Sequence, residues 1–221
     1  MKKGFGQHFN FILVLLFTIV CAILFSSAAQ ANLIKNGGFE DIDVPDRSWR
    51  YFSQGTPNLA WQGSNVEIWD SLFGFEAAEG EQYGELNAHP NQGQFSIYQT
   101  FDTVAGGIYD LSFNYSARRN NKNEQFEVSA GDFSQVLTSN IRFNWQDFAT
   151  EFTALSDTTT ITFTALNRGT LGNLIDNIVI TQNRLPIPEP ELIFPLTFAL
   201  LFLLLRARYH RKPKPIRIKL D

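Results

Sequence analysis

Six carboxylates lie within 19 consecutive residues of the first half of the chain: Glu67, Asp70, Glu76, Glu79, Glu81 and Glu85. Two carboxylates held roughly 5–10 Å apart across a sugar can hydrolyse a glycosidic bond. Abundance alone does not establish that spacing, and a solvated acidic rim is the simpler interpretation. Glu67 differs from the others because Val66 and Ile68 flank it in a β pattern, so it faces either a binding groove or solvent.

Other groups that could perform catalysis are scarce. His8 and His210 lie near the chain ends, which leaves His89, and its position before Pro90 is typical of a turn. The single cysteine, Cys21, lies in an N-terminal apolar run. The central part of the chain therefore has no thiol nucleophile, no Ser-His-Asp set and no zinc-binding cluster. We expect a protein that is not an enzyme.

Aromatic side chains form the second candidate group. Sugars stack on the faces of exposed rings, while carboxylates and amides bind their hydroxyls, so apolar walls with a few polar anchors are typical of such sites. The predicted ligand-binding residues are Trp49, Trp61, Trp69, Phe73, Glu67 and Asn87. Packing of the rings into a core is the competing interpretation, and loop positions favour ligand contact for Trp49 and Phe73.

The elements that must position these side chains have the period of β-strands. In residues 108–115, every second side chain is aromatic or aliphatic and the others are polar. Similar patterns predict strands at residues 66–70, 83–88, 95–101, 124–130, 133–138, 147–153, 158–165 and 174–181. No segment between the chain ends has a helical period. We therefore predict an all-β fold, a two-sheet antiparallel β-sandwich of the jelly-roll type, over residues 32–184.

Three segments resemble strands of a known fold. Residues 32–40 (NLIKNGGFE) are similar to the opening strand of galactose-binding-like jelly rolls and of carbohydrate-binding modules built on them. Residues 107–113 (GIYDLSF) resemble their central strand, and residues 174–180 (LIDNIVI) their closing strand. The segments occur in the family's order, which supports the jelly roll. They do not specify a ligand, because a fold does not determine a function.

The resemblance also implies one structural calcium ion. In related modules a calcium ion ties the opening strand to the closing strand, and Glu40 and Asp176 stand in those two segments here. Calcium takes oxygen ligands from carboxylates and backbone carbonyls. Asp176 lies in an otherwise apolar stretch, where an unpaired carboxylate is costly to bury. Pairing with Arg or Lys, or hydrogen bonding of Asp176 at a strand bulge, is the alternative.

The N-terminus has the three parts of an export signal. Lys2 and Lys3 form a basic start, residues 11–25 are apolar, and Ala29-Gln30-Ala31 is a small-x-small cleavage site. We predict a signal peptide over residues 1–31 with an apolar helix, and a mature chain that begins at Asn32.

The C-terminus has a motif, an apolar run and a basic end. Residues 185–191 form a proline-rich linker with Pro188-Glu189-Pro190, residues 192–205 are apolar, and residues 206–221 are basic. This order resembles the PEP-CTERM sorting signal of exported bacterial proteins. The resemblance implies an exosortase-type protease as partner and a transient transmembrane helix over 192–205, with residues 206–221 in the cytoplasm. A plain C-terminal membrane anchor is the alternative.

The charge of the central domain restricts the classes of molecule that it can bind. Residues 32–188 carry 19 acidic and 9 basic side chains, a net charge of −10, which disfavours nucleic acid. We therefore predict an exported, surface-sorted, non-catalytic protein of the extracellular matrix or envelope that binds a polysaccharide. A structural or adhesive matrix protein is the first alternative, and a carboxylate-dependent glycoside hydrolase is the second.

Overall fold

The computed structural model describes residues 31–88 and 95–184, together with positions 202 and 206, which are helical and exposed. The predicted signal peptide up to residue 30, His89, the Pro188-Glu189-Pro190 motif and nearly all of the apolar and basic tail lie outside the described residues. In the part of the chain that is described, no helix has the length and apolar character needed to cross a membrane.

Eleven strands form two antiparallel sheets within these residues. The strands are β1 (Ser48–Phe52), β2 (Gln62–Gly63), β3 (Val66–Asp70), β4 (Gln82–Glu85), β5 (Ser96–Asp102), β6 (Ile108–Ser116), β7 (Glu124–Ala130), β8 (Phe133–Ser139), β9 (Gln146–Thr153), β10 (Thr158–Ala165) and β11 (Leu174–Arg184). Sheet A has the order β1-β3-β4-β11-β6-β9, and sheet B has the order β2-β5-β10-β7-β8. A short 3₁₀ helix, Leu72–Gly74, follows β3.

The chain changes sheet at nearly every connection after β4. It passes from β5 in sheet B to β6 in sheet A, then to β7 and β8 in sheet B, β9 in sheet A, β10 in sheet B and β11 in sheet A. Consecutive strands therefore lie in opposite layers, as in a jelly roll. The predicted fold, an all-β sandwich of two antiparallel sheets, is confirmed.

Alternate residues of the strands build the core between the sheets. In β6, Leu111 and Phe113 are buried while Asp110 is exposed, and in β10, Ile161 and Phe163 are almost fully buried. Burial thus alternates along these strands with the same two-residue period that predicted them from the sequence. Burial of such side chains stabilises the fold by about 1.5–3 kcal/mol each.

Two features of the strands differ from the sequence prediction. The strands β1 and β2 were not predicted: β2 has only two residues, and burial does not alternate along β1, because its three central residues are all exposed. Residues 32–40, which resemble an opening strand, are irregular. Asn36 and Phe39 have φ of 51° and 64° in this segment, and a left-handed φ interrupts an extended chain.

The irregular segment nevertheless lies along β11. The amide of Leu33 donates to the carbonyl of Ile180 at 2.8 Å, and the amide of Ile178 donates to the carbonyl of Gly37 at 3.1 Å. A Cβ atom at position 37 would lie 2.1 Å from the carbonyl oxygen of Ile178, so only glycine fits this approach. The N-terminal segment is therefore tied to the closing strand without joining the sheet as a strand.

Candidate functional site

The side of sheet A that faces away from the core, here called the outer face, carries two rows of large side chains. In the first row, Trp49 of β1 pairs with Trp69 of β3, which pairs with Tyr83 of β4. Paired residues of antiparallel strands point to the same side, so the three rings are neighbours. Trp49 at the sheet edge is 39% exposed, whereas Trp69 and Tyr83 are fully buried.

The two inner rings of this row are buried by loops rather than by the second sheet. They form, with Leu174, the outer aromatic cluster, which is completed by the partly buried Leu72, Phe75, Ala77, Phe143 and Trp145. The Trp69 and Tyr83 centroids lie 5.9 Å apart, and the Phe75 ring stacks on Phe143 at 4.7 Å. Burial and nearby carboxylates raise the pKa of Tyr83, and its hydroxyl donates to the carbonyl of Phe75 at 3.2 Å.

The second row of the outer face places two carboxylates side by side. Tyr51 of β1, which is 48% exposed, pairs with Glu67 of β3, and Glu67 pairs with Glu85 of β4. Both glutamates are buried. The indole N–H of Trp69 donates to Glu67 Oε1 at 2.8 Å and links the two rows.

Arg118, which follows β6, compensates the buried charge of Glu85. Its Nη1 atom lies 2.8 and 2.7 Å from the two carboxylate oxygens, and the amide of Gly172 donates to Oε1 at 2.8 Å. Burial raises the pKa of Glu85 and the charge of Glu67 adds to this, while Arg118 opposes both. The Arg118 guanidinium also lies over Trp69, with Cζ 4.6 Å from the ring centroid. Trp69, Arg118 and Glu85 therefore hold one another in place at the buried base of the outer face.

Two loops bring strained aromatic residues to the border of this face. Phe73, between β3 and β4, has φ of 60°, and Phe143, between β8 and β9, has φ of 53°. Such φ values are rare for bulky residues and occur at functional sites more often than elsewhere. The two rings stack at 6.3 Å, and Phe73 is 66% exposed. Arg142 lies over Phe143 at 4.1 Å.

The predicted calcium ligands lie close to each other. Asp176 is fully buried at a bulge of β11; Ala78 and Glu79 donate their amides to its Oδ2 at 2.7 and 3.0 Å. Burial raises the pKa of Asp176 to about 7, against the effect of these amides, and the charge of Glu40 adds to the rise. Glu40 Oε1 accepts the amides of residues 81 and 82, both at 2.8 Å. Asp176 is thus a hydrogen-bonded carboxylate at a strand bulge.

Gly38 leaves the space in which the side chains of Glu40, Glu79 and Asp176 lie close together. A Cβ atom at Gly38 would lie 2.8 Å from Glu79 Oε2 and within 4 Å of both Glu40 Cγ and Asp176 Oδ1. The described residues include no group of three or more Asp, Glu, His or Cys side chains arranged to hold a metal ion. An ion between Glu40 and Asp176 would therefore need backbone carbonyls for most of its oxygen ligands.

The family of the chain follows from its sequence. Residues 32–181 match the profile of the family described as "Protein of unknown function (DUF642)". The chain belongs to the DUF642 family. The matched residues contain all of the described strands except the end of β11.

One relative of this DUF642 chain is halomucin from Haloquadratum walsbyi (strain DSM 16790 / HBSQ001). The two are 26% identical over 188 residues, which cover 80% of the DUF642 chain and 2% of halomucin. The chain thus spans only a small fraction of the length of this relative.

Several solved structures are similar to the DUF642 domain. TmCBM61 in complex with β-1,4-galactotriose has a TM-score of 0.46 and 17% identity, with 69% of this chain and 99% of that chain covered. Family 16 Carbohydrate Binding Module-2 has a TM-score of 0.46 and 14% identity, with 68% and 100% covered. A CBM35 from Paenibacillus barcinonensis has a TM-score of 0.41 and 13% identity, with 62% and 99% covered.

The DUF642 domain brings some of the predicted ligand-binding residues together and separates others. Trp49, Trp69 and Glu67 share the outer face, and Phe73 lies at its border. Trp61 lies in the core, where it stacks on Phe39 at 5.8 Å and donates its indole N–H to the carbonyl of Asn36. Its side chain reaches no surface on which a ligand could bind.

Asn87 is also placed inside the DUF642 domain. It is fully buried, and its amide nitrogen donates to the carbonyls of Asn167 and Gly169, both at 3.0 Å. The side chain therefore holds the loop before β11. The sequence analysis did not single out Phe143 and Trp145; the aromatic spacing of residues 143 and 145 in a turn region was the available signal.

Proposed function

We propose that this chain is an exported protein whose domain binds a polysaccharide, without catalysis, on the outer face of sheet A. One observation carries the proposal: the edge strand β1 presents Trp49 and Tyr51 on the same face, partly exposed, next to Trp69 and Glu67. Residues two apart on a strand lie roughly 7 Å apart, a spacing at which two rings can contact successive parts of one chain of sugars.

The surroundings of the two rings support a carbohydrate ligand. The exposed rings provide apolar surfaces, and the carboxylate of Glu67 lies beside Tyr51. Phe73 at the border adds a third exposed ring. This combination of apolar surface and a few fixed polar groups is typical of small-molecule sites. Since residues 32–188 have a net charge of −10, we expect a neutral or basic polymer.

The carboxylate pair of the outer face supports binding rather than hydrolysis. Glu67 and Glu85 are direct cross-strand neighbours, so their Cβ atoms lie about 4.5–5.5 Å apart on one surface. A hydrolase must instead place its two carboxyl groups on opposite sides of a bound sugar. Glu85 is fully buried and both of its oxygens are held by Arg118.

The proposed location follows from the two ends of the sequence. A signal peptide over residues 1–31 would direct export, and the Pro188-Glu189-Pro190 motif with its apolar and basic segments would be the substrate of an exosortase-type protease. The protein would be anchored transiently in the membrane and then released to the cell surface or extracellular matrix. There the polysaccharide of the matrix or envelope would be its ligand.

We also propose one structural calcium ion between Glu40 and Asp176. Its support is the buried position of Asp176, the raised pKa of that carboxyl and the closeness of Glu40. A divalent cation would offset the repulsion between the two carboxylates, and calcium accepts the irregular, oxygen-only surroundings. Bound calcium would tie the N-terminal segment to β11.

Affinity electrophoresis of the exported protein in gels that contain neutral or basic polysaccharides tests the carbohydrate proposal. We expect at least one polymer to retard the protein, and we expect Trp49→Ala and Tyr51→Ala to weaken the retardation by about tenfold or more. Tyr98→Ala is the matched control, because this partly buried ring lies on sheet B. If no polymer retards the native protein, the proposal fails and a structural or adhesive role in the matrix takes its place.

A further inference from the structure

A cavity lies at the edge of sheet B, between β5 and the irregular N-terminal segment. Its volume is about 480 Å³, within the usual range of about 300–1,000 Å³ for ligand pockets, and it is here called the edge slot. Its lining combines apolar and charged side chains and includes Leu33, Lys35, Ala60, Thr100, Phe101 and Asp102. None of its lining residues belongs to a strand of sheet A, so the edge slot is separate from the proposed carbohydrate surface.

The edge slot lies where a longer β2 would pair with β5. Residues 62–63 of β2 pair with residues 97–98 of β5, whereas β5 continues to Asp102. The same register would place Ala60 opposite Thr100, but Ala60 has φ of 63°, a left-handed value that interrupts an extended chain. Among the described strands, none therefore pairs with the second half of β5 on this side.

The backbone groups of Thr100 and Asp102 point toward the edge slot. On the β2 side of β5, the carbonyl of Ser96 accepts the amide of Ser64 at 2.9 Å. β5 pairs with β10 from residue 96 to residue 102 without a register shift, so every second residue points its N–H and C=O groups to the same side as Ser96. Thr100 and Asp102 belong to this set. In the described part of the chain, no backbone group bonds to them there.

The opposite wall of the edge slot is fixed to β5. The amide of Lys35 donates to Gln99 Oε1 at 2.7 Å, and Gln99 Nε2 donates to the carbonyl of Lys35 at 2.9 Å. Gln99 is buried, so its side chain joins the N-terminal segment to β5 inside the domain. Leu33 and Phe101 add apolar surface to the lining. Both walls are thus in place before a ligand binds, which lowers the cost of binding.

Lys35 and Asp102 give the edge slot two ends of opposite charge. Both side chains are exposed, and neither forms an ion pair with another described residue. The backbone of Lys35 is bonded to Gln99, three residues before Asp102 along β5, so the two ends lie roughly 10 Å apart. A strand that continued the direction of β2 would run antiparallel to β5, from the Asp102 end to the Lys35 end. It would meet a carboxylate first and an ammonium last.

We propose that the edge slot binds an extended peptide segment of another protein, which adds a strand to β5 in line with β2. The N–H and C=O groups of one peptide residue bond to the backbone of Thr100, as in other cases of strand addition. The segment carries a basic residue opposite Asp102, an apolar residue opposite Phe101 and an acidic residue beside Lys35. A polypeptide repeats its backbone groups at the spacing of β5, and a sugar chain does not, so the unpaired backbone favours a peptide.

Fluorescence anisotropy of labelled tetrapeptides with the exported protein tests the proposal. Acetyl-Lys-Val-Thr-Glu-amide should bind, with its threonine opposite Thr100. Methylation of the threonine nitrogen should weaken binding by about tenfold or more, because this nitrogen then cannot donate to the carbonyl of Thr100. The charge-swapped peptide acetyl-Glu-Val-Thr-Lys-amide should also bind about tenfold more weakly, since each end then meets a like charge.

Reversal of the two charges of the edge slot should reverse the preference. The double variant Lys35→Glu, Asp102→Lys should bind the charge-swapped peptide more tightly than acetyl-Lys-Val-Thr-Glu-amide. Lys122→Glu, Asp43→Lys is the matched control, because it makes the same two charge changes at exposed positions outside the edge slot. The control should keep the preference of the wild type.

Four results would overturn the proposal. They are the absence of binding at about 1 mM acetyl-Lys-Val-Thr-Glu-amide, equal affinity for the N-methylated peptide, an unchanged preference in the charge-reversed variant, and displacement of the peptide by a neutral polysaccharide. The last result would make the edge slot a saccharide site. Trp49→Ala should leave peptide binding unchanged, so this proposal and the carbohydrate surface of sheet A can fail independently.

Discussion

Arg118 and Trp69 form a cation–π contact on the outer face of sheet A, with the guanidinium carbon 4.6 Å from the ring centroid. The same guanidinium is held by Glu85 at 2.7 Å. Arg118 comes from the segment after β6, and Trp69 comes from β3, which lies three strands away in the sheet order. The contact therefore joins segments that are distant in the sequence, and it holds the buried Trp69 in place beside the exposed rings of β1.

Removal of Arg118 should destabilise the domain strongly. In Arg118→Ala, Glu85 remains buried without its cation, and a broken buried pair typically costs about 3–5 kcal/mol. Urea denaturation would measure the free energy of unfolding. Arg142→Ala is the control, because Arg142 is exposed and lies over Phe143, a contact worth only about 0.5–1 kcal/mol. Similar losses in both variants would show that the Arg118–Glu85 pair is not a structural support.

The two tryptophans of the first row should respond differently to substitution. Trp69 is fully buried, so Trp69→Ala should lower the free energy of unfolding by about 3–5 kcal/mol. Trp49 is 39% exposed at the sheet edge, so Trp49→Ala should lower it by much less. Thermal and urea unfolding of both variants provide the measurement. Equal losses would mean that Trp49 is a core residue rather than part of a ligand surface.

Stability should depend on pH through Asp176. Its pKa is raised from 3.8 to about 7, so between these values the folded state binds more protons than the unfolded state. The free energy of unfolding should therefore fall as pH rises through this window, by up to about 4 kcal/mol, and level off above it. Urea denaturation from pH 4.5 to 8 in EDTA measures the slope.

Asp176→Asn separates this effect from that of Glu85. The pKa of Glu85 is also raised and gives a slope of the same sign, but Glu85 is unchanged in the variant. The difference between the wild-type and variant curves thus belongs to Asp176. Parallel curves would contradict the assignment.

Calcium should stabilise the wild-type protein if Glu40 and Asp176 share an ion. At a calcium concentration about 100 times the Kd, the free energy of unfolding should increase by roughly 2.7 kcal/mol, because the ion binds only the folded state. The increase should be larger at pH 8 than at pH 5, since the ligand carboxylates must be ionised. Asp176→Asn should lose most of the response. Identical melting curves in EDTA and in excess calcium would refute the site.

The C-terminal segments should be removed during export. Intact-mass measurement of the exported protein should show a chain that begins at Asn32 and lacks residues 192–221. Replacement of Pro188-Glu189-Pro190 by alanines should accumulate the longer form, whereas Pro186→Ala in the same linker should not. An exported protein that retains the apolar segment would instead indicate a simple membrane anchor.

The sequence predicted the strands better than the surface they create. The strands β6 and β10 could be predicted from the alternation of apolar and polar residues, because their side chains alternate between the core and a more exposed face. Glu67 and Trp69 could not be placed in this way, since they point away from the core and are buried by loops from elsewhere in the chain. Their neighbours depend on register: Glu67 meets Glu85 only because β3 pairs with β4 at that position.

The acidic cluster of residues 67–85 illustrates the same limit for single side chains. Glu76 and Glu85 were both visible as members of this cluster, which the sequence analysis interpreted as a solvated acidic rim. The three-dimensional arrangement shows that Glu76 is exposed, whereas Glu85 is fully buried and paired with Arg118. Local sequence does not distinguish these two carboxylates, because the partners of Glu85 come from residues 118 and 172.

The edge strand β1 has a consequence for how copies of the protein behave when they are crowded. Its backbone is unpaired on one side within the described sheet, which is a template for sheet-to-sheet aggregation. Arg50, at its centre, pairs with Ile68 and therefore points toward the core side, yet it is exposed. A second strand that docked there would have to bury this guanidinium. The strand that displays the rings is thus protected against self-association, so its rings can stay exposed at high local concentration.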